Sequence, residues 1–235
     1  MPNTPMQNDF RGVESILDAV LFDFDGVLIE SMDVKTEAFR QLFSDYPKHV
    51  DAVVALHEAH GGISRYVKFE MIYRDVLRQP LSAELKAKLG RRFAEIVVDQ
   101  VVACPMVEGA KEVLEALAPL LPLCVVSGTP QDELVEIIGR RGLADYFDAI
   151  QGSPRGKSEI IGELLRVNVW RAPRVLMIGD TIADFDAARD NGLSFVGRVA
   201  TGVRSPFPTG TTAIADLTRL ANAIDAAYAP LAARH

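Results

Sequence analysis

Near its start the chain runs AVLFDFDGVLIES, Ala19 to Ser31, in which an apolar stretch abruptly presents Asp23 and Asp25 and then Gly26. Buried strands do not normally end on two carboxylates two residues apart. Three other segments carry polar residues in the same kind of setting. LCVVSGTP presents Ser127 and Gly128 after an apolar run, QGSPRGK ends on Lys157 at the start of a helical pattern, and VLMIGDTIAD presents Asp180 and, one helical turn later, Asp184. Singly, each has an ordinary reading. An aspartate after a strand is a turn former or helix cap, Ser127 is another cap, Lys157 is a solvated lysine, and Asp184 is a first-turn acid favoured by the helix dipole.

Taken together they point to one chemistry. Four carboxylates sharing a crevice raise each other's pKa values and need cations to offset them. Lys157 supplies one positive charge. The remainder calls for a metal ion, and an oxygen-only ligand set with no accompanying His or Cys cluster favours Mg2+. Carboxylates, Mg2+, a lysine and a small hydroxyl donor suit a phosphoryl group undergoing in-line attack, where catalysis is mostly positioning and charge stabilisation. One carboxylate can attack phosphorus to form an aspartyl-phosphate. A second, two residues on, can protonate the leaving oxygen and later activate water.

The elements around these residues predict how they meet. Five short apolar runs read as strands: Ala19–Phe22, Leu123–Val126, Ala149–Gln151, Val175–Ile178 and Ser194–Val196. Helical patterns at Glu108–Leu117, Asp132–Arg141, Lys157–Arg166 and Ala183–Asp190 separate the later ones. Strand–helix alternation with strands apolar along their whole length predicts an α/β fold, a Rossmann-like parallel sheet core with helices on both faces. The carboxyl ends of such strands share one crevice, where ligands bind. Between the first strand and the second the alternation gives way to four helical segments, Val34–Phe43, Val50–His60, Ser64–Arg78 and Ser82–Val101. Tyr66, Phe69, Tyr73 and Leu77 form an apolar face on the third, and Leu85, Leu89, Phe93 and Ile96 on the fourth. The expected organisation is a discontinuous core of residues 13–32 and 103–235, an inserted four-helix domain of residues 33–102, and a loose, polar N-terminal tail of residues 1–12. TGVRSPFPTGTT reads as a loop before a last helix, Ile214–Ala227.

With 235 residues, 49% of them hydrophobic, the chain can bury a substantial core. Its formal net charge of −7 argues against a nucleic-acid surface, without excluding a local basic pocket for a small anion. The two cysteines, Cys104 and Cys124, resemble neither a metal-ligand pair nor a disulfide framework. No signal-like segment and no bilayer-length apolar run is present, so a cytoplasmic protein with no membrane partner is expected.

DFDGV, VVSGT, Lys157 and GDTIAD, in this order, resemble the motifs of the haloacid dehalogenase superfamily of phosphatases, and the helical insertion is similar to that superfamily's cap. The resemblance spans about Val13 to Ala227. It implies that Asp23 is the nucleophile and Asp25 the general acid/base, with Mg2+ held by the Asp23 carboxylate, the Asp25 backbone carbonyl and Asp180. Asp184 would support the metal directly or through the outer shell. Ser127 and Lys157 would hold phosphoryl oxygens, with backbone N–H groups around Phe24 and Gly128 adding donors. The metal-free dehalogenases of the superfamily lack the second aspartate, so Asp25 disfavours that activity.

In EAHGGISRYVKFE, Gly61 and Gly62 break one helix and Ser64 caps the next. The ordinary reading is a turn with Arg65 solvated. The segment is also similar to the cap loop of β-phosphoglucomutase-like members, which makes Arg65 a candidate specificity residue and His60 and Lys68 lesser ones. A guanidinium suits a carboxylate or second phosphate. Lys35, one turn into the first cap helix, is a further candidate for substrate contact; the mutases carry a histidine there. The leading expectation is a Mg2+-dependent phosphatase for a small phosphorylated metabolite. A phosphomutase is the alternative, and a non-catalytic binding module a third reading. Oligomeric state and the particular metabolite are not encoded legibly.

Overall fold

The computed structural model describes residues 9–232. Strand β1 (Ala19–Phe22) is buried at every position. Ala19 and Leu21 face one helical layer while Val20 and Phe22 face the other, the period-two alternation of a strand covered on both sides. It is followed by β2 (Leu123–Pro130), β3 (Ala149–Ser153), β4 (Val175–Gly179), β5 (Ser194–Arg198) and the two-residue β6 (Ala213–Ile214). The strands form one all-parallel sheet in the order β3-β2-β1-β4-β5-β6. This order leaves β1 between β2 and β4, the switch point at which a doubly wound sheet opens its ligand crevice.

A short helix α1 (Val13–Ile16) precedes β1. The insertion contains α2 (Met32–Leu42), α3 (Val50–Ala59), α4 (Arg65–Met71) and α5 (Ala83–Ala103). The sheet is covered by α6 (Ala110–Leu117), α7 (Gln131–Arg140), α8 (Lys157–Asn168), α9 (Ile182–Asp190) and α10 (Leu220–Ala232). No described helix is long and apolar enough to cross a membrane.

The apolar faces read from the insertion's sequence converge on an aromatic centre. Phe39 meets Phe93 edge-on at 4.9 Å between ring centroids, and Phe43, Phe69 and Tyr73 close around them. Ser64 caps α4 by accepting the Tyr66 N–H. The two chain crossings hydrogen-bond to each other: the Glu30 N–H donates to Pro105 O at 3.0 Å, and the Val107 N–H to Leu28 O at 3.0 Å. An antiparallel bridge joins Ile29 to Met106 between them.

Three details differ from the sequence-based expectation. The third insertion helix is α-helical only to Met71 and continues as a π-helix over Ile72–Leu77, ending where Arg78 takes a left-handed φ of 54°. Ile214 belongs to β6 rather than to the last helix, because it extends the sheet beside Arg198. Residues 1–8 of the expected tail lie outside the described residues, while Phe10 is buried against the core.

At the opposite edge from the crevice, Asp18 ties the start of β1 to the turn before β4. It accepts 2.8 Å bonds from Arg171 Nη2 and Arg174 Nε. The Arg171 hydrogen bond is the main reason its carboxyl sits well below the usual range, against the opposing effect of burial. A depressed carboxyl contributes stability above its unfolded pKa, near 4, and loses it as pH falls. Asp18→Asn is therefore expected to lower the unfolding free energy by about 1 kcal/mol at pH 7. The deficit should narrow as denaturation is repeated below about pH 4.

Candidate active site

The carboxyl ends of β1, β2, β3 and β4 bring the four sequence segments together. Asp23 follows β1 directly and is 3% exposed. Its Oδ1 accepts the Phe24 N–H at 2.7 Å and its Oδ2 lies 2.8 Å from Lys157 Nζ. Lys157 is the first residue of α8 and reaches on to Asp184 Oδ1 at 2.5 Å. Asp184 is itself anchored from the N-cap of α9, since the Thr181 N–H and hydroxyl both donate to its Oδ2, at 3.1 and 2.6 Å. Both oxygens of Asp184 are thereby engaged.

Burial sets the electrostatics. It pushes Asp23 up to about 7, with Lys157 pulling the other way and Asp184 and Asp25 adding to the rise. Asp180 is driven well above the usual carboxylate range by burial and then by Asp23 and Asp184. Burial disfavours the Lys157 charge, but Asp184 and Asp23 outweigh it and hold the ammonium above its ordinary value. One lysine does not satisfy three acids. Asp180 Oδ1 is buried with no hydrogen-bond partner. Asp23, Asp180 and Asp184 each offer an oxygen, all within 4.8 Å of one another. An orphaned carboxylate oxygen in an oxygen-only cluster fits a hard divalent cation. Gly26 makes the approach possible: at φ 76° it carries no Cβ, which would stand 2.2 Å from Asp180 Oδ2.

Asp25 is turned away from this cluster. Its Oδ1 accepts the Ser31 hydroxyl at 2.6 Å, its Oδ2 accepts the Thr129 hydroxyl at 2.8 Å, and Lys35 pairs with the same Oδ2. Lys35 also donates to Thr129 at 2.9 Å. Burial favours the neutral acid, but Lys35 and the two hydroxyls outweigh it and hold the carboxyl below its usual value. The side chain expected as the general acid/base thus faces the insertion, consistent with the expectation that Asp25 meets a metal through its backbone carbonyl rather than its carboxylate. Ser127 is buried within β2 rather than just beyond it, and its hydroxyl accepts the Thr129 N–H at 3.1 Å. Gly128 lies beneath the insertion: a Cβ there would stand 2.5 Å from Gly62 O.

The insertion roofs the crevice and encloses a cavity of about 60 Å³. Lys35, Arg65 and Lys68 line it, whereas His60 does not; it borders a separate groove on the far side of the Gly61–Gly62 turn. Arg65 is not solvated but buried, and its guanidinium pairs with Glu133 of α7. Lys68 is buried beside His57, donating to its Nδ1 at 3.0 Å and to its backbone carbonyl at 3.2 Å. Ser31, His57, Thr129 and Glu133 are site residues that sequence reasoning missed. Thr129, two residues beyond Ser127 in the same strand, was open to detection by strand periodicity. Ser31 meets Asp25 through the first crossing, and His57 and Glu133 depend on contacts that only the folded insertion creates.

Lys157→Met would leave Asp23 and Asp184 buried without their counter-ion, at an expected cost of about 3 kcal/mol near pH 7.5. An acid with a raised pKa is folded most stably when protonated, so the penalty should shrink as pH falls. Thermal melts of parent and variant at pH 5 and 7.5 check both the size and the sign.

Comparison with known proteins identifies the family and the fold. The sequence model of haloacid dehalogenase-like hydrolases matches residues 20–198. The phosphoglycolate phosphatase of Synechococcus elongatus is 26% identical over 190 residues, 75% of this chain and 81% of that protein. The phosphorylated carbohydrates phosphatase of Thermotoga maritima is 24% identical over 185 residues, 75% of this chain and 82% of that one. In three dimensions the chain is similar to the crystal structure of a predicted phosphatase from Clostridium acetobutylicum, with a TM-score of 0.70 at 20% identity over 89% of this chain and 98% of that one. With its doubly wound sheet, helical insertion and buried carboxylate cluster, the chain belongs to the haloacid dehalogenase-like hydrolases.

Proposed function

We propose that this protein is a Mg2+-dependent phosphatase that hydrolyses a small phosphorylated metabolite through an aspartyl-phosphate on Asp23. The observation that carries the reading is the trio Asp23, Asp180 and Asp184, whose oxygens lie within 4.8 Å of one another at the switch point of the sheet. The relatives named phosphoglycolate phosphatase and phosphorylated carbohydrates phosphatase support the same chemistry. Residues 13–32 and 103–235 act as the catalytic core and residues 33–102 as a cap that excludes bulk water.

Asp23 and Asp180 would hold the metal, with the Asp25 carbonyl, and Asp184, which fixes Lys157 and Thr181, would support it directly or through the outer shell. Bound Mg2+ would neutralise charge on the carboxylates and phosphoryl oxygens. Lys157 orients the Asp23 carboxylate for attack on phosphorus and screens the incoming dianion. The Ser127 hydroxyl and the Gly128 N–H receive phosphoryl oxygens, and the Phe24 N–H, now donating to Asp23, lies at the same edge. The P–O bond to the leaving group breaks as Asp23 attacks, and the departing oxygen takes a proton through Asp25, which is ionised at rest and is first loaded with that proton from the substrate's monoanion or from solvent. As a carboxylate again, Asp25 takes a proton from the water that cleaves the acyl phosphate. Lys35 stabilises that ionised form, so Asp25 is set up here for the second step.

The test is phosphate release from a panel of phosphorylated acids, sugars and an aryl phosphate in Mg2+. Release is expected for small esters, with Asp23→Asn lowering it by about a thousandfold or more. Failure to release phosphate from any ester, or an Asp23→Asn variant as active as the parent, would overturn the reading. A phosphomutase would instead return an isomerised sugar phosphate with little free phosphate.

A further inference from the structure

The cations lining the cavity are not equivalent. Lys35 is paired with Asp25 and Arg65 with Glu133, so neither is free to receive an arriving anion without losing a carboxylate partner. Lys68 is different: among the described residues no carboxylate pairs with it, although it is only 5% exposed. Its two observed bonds both go to His57, leaving an N–H with no acceptor in the protein. A buried ammonium without a counter-ion is costly unless something supplies one. Burial, and then the Lys35 ammonium, pull Lys68 down to about 7, with Lys157 acting the same way and Asp25 and Asp180 opposing.

His57 completes the arrangement. Burial, Lys68 and Lys35 push its imidazole down to about 3, so it is neutral near pH 7. Since Nδ1 accepts from Lys68, the ring proton is on Nε2. Nε2 is buried with no partner, and one face of the ring is held against Phe39 at 4.3 Å between centroids. Lys68 and His57, from two insertion helices, line the same cavity as Asp23, Ser127 and Asp180, and the Lys68 ammonium keeps an N–H for an anion there. Around them the wall is apolar, with Phe39, Phe93 and Val97 among its lining residues. A cavity of about 60 Å³ has room for only a few water-sized groups.

Building on the phosphatase reading, we propose that the substrate is a short phosphorylated carboxylic acid whose carboxylate is received by Lys68, with His57 holding the ammonium in place, and not by Arg65. The Arg65–Glu133 pair is then a tie between the insertion and α7 rather than the anion receptor expected from the sequence. A carboxylate placed on Lys68 accepts its free N–H and supplies the counter-charge that the protein withholds. An ester of the same size with a neutral hydroxyl end does neither, so discrimination rests on an unpaired buried charge.

The experiment compares matched esters: 2-phosphoglycolate against 2-hydroxyethyl phosphate, and 3-phosphoglycerate against glycerol 3-phosphate. The parent enzyme is expected to favour the carboxylate member of each pair by tenfold or more in kcat/KM, and Lys68→Met to reduce that ratio about tenfold, mostly through KM. Lys68→Arg should restore part of the ratio, which a purely structural loss would not. Binding of the same pairs to Asp23→Asn, measured by calorimetry, reads the preference even without turnover, and melting curves check that each variant is folded. No carboxylate preference in the parent, or a preference unchanged in Lys68→Met, overturns the proposal while leaving the phosphatase reading intact. Absence of phosphate release from every ester strikes the phosphatase reading instead, and the calorimetric preference then decides the carboxylate site on its own.

Discussion

The arrangement around the crevice depends on one buried ammonium. Lys157 lies between Asp23 and Asp184, so it joins the end of β1 to the first turn of α9 while belonging to α8. Three separate stretches of chain are thereby fixed to a common point. The carboxylates could not remain ionised so close together in a dry interior without it. The lysine in turn could not remain charged there without them. Asp184 is fully buried and accepts from Lys157 and Thr181. It sets the position of the charge.

A second knot ties chemistry to the insertion. Asp25 is held by Ser31 at the first crossing, by Thr129 in β2 and by Lys35 in α2. Its protonation is therefore sensitive to the seating of the insertion, because Lys35 arrives only with α2. Gly128 shows the same dependence through shape: the carbonyl of Gly62 rests where any side chain would stand. On the far wall, Arg65 and Glu133 make a buried ion pair between insertion and core. Closure of the crevice thus rests on polar contacts at its rim as well as on the apolar surface shared by the two parts.

Much of this was legible in the sequence. The three central strands β1, β2 and β4 begin as continuous apolar runs, and burial on both faces leaves little ambiguity about them. Asp23, Asp180, Asp184, Ser127 and Lys157 were found because parallel strands deliver their ends to one edge. β6 was not legible: two residues within a loop rich in turn formers have no periodicity to display. Nor was the fate of Arg65. Its partner Glu133 lies 68 positions away, and no local pattern announces a pairing between helices of different parts of the fold. The same applies to Lys68 and His57, whose eleven-residue separation spans a helix break. Spacing locates a residue on an element, but only packing decides which charges are already spoken for.

The paired crossings have a consequence for how the chain folds. β1 must find β2 across roughly a hundred residues, Val20 beside Leu123. Closing a flexible loop of that length costs about 2 kcal/mol more than closing one of ten residues. The insertion's two ends, however, are stitched to each other through Leu28, Glu30, Pro105 and Val107. Once its helices have gathered around their aromatic centre, those ends are already neighbours, and to the sheet the whole insertion behaves as a tight turn. The central strand pair, distant in sequence, becomes local in the order of assembly.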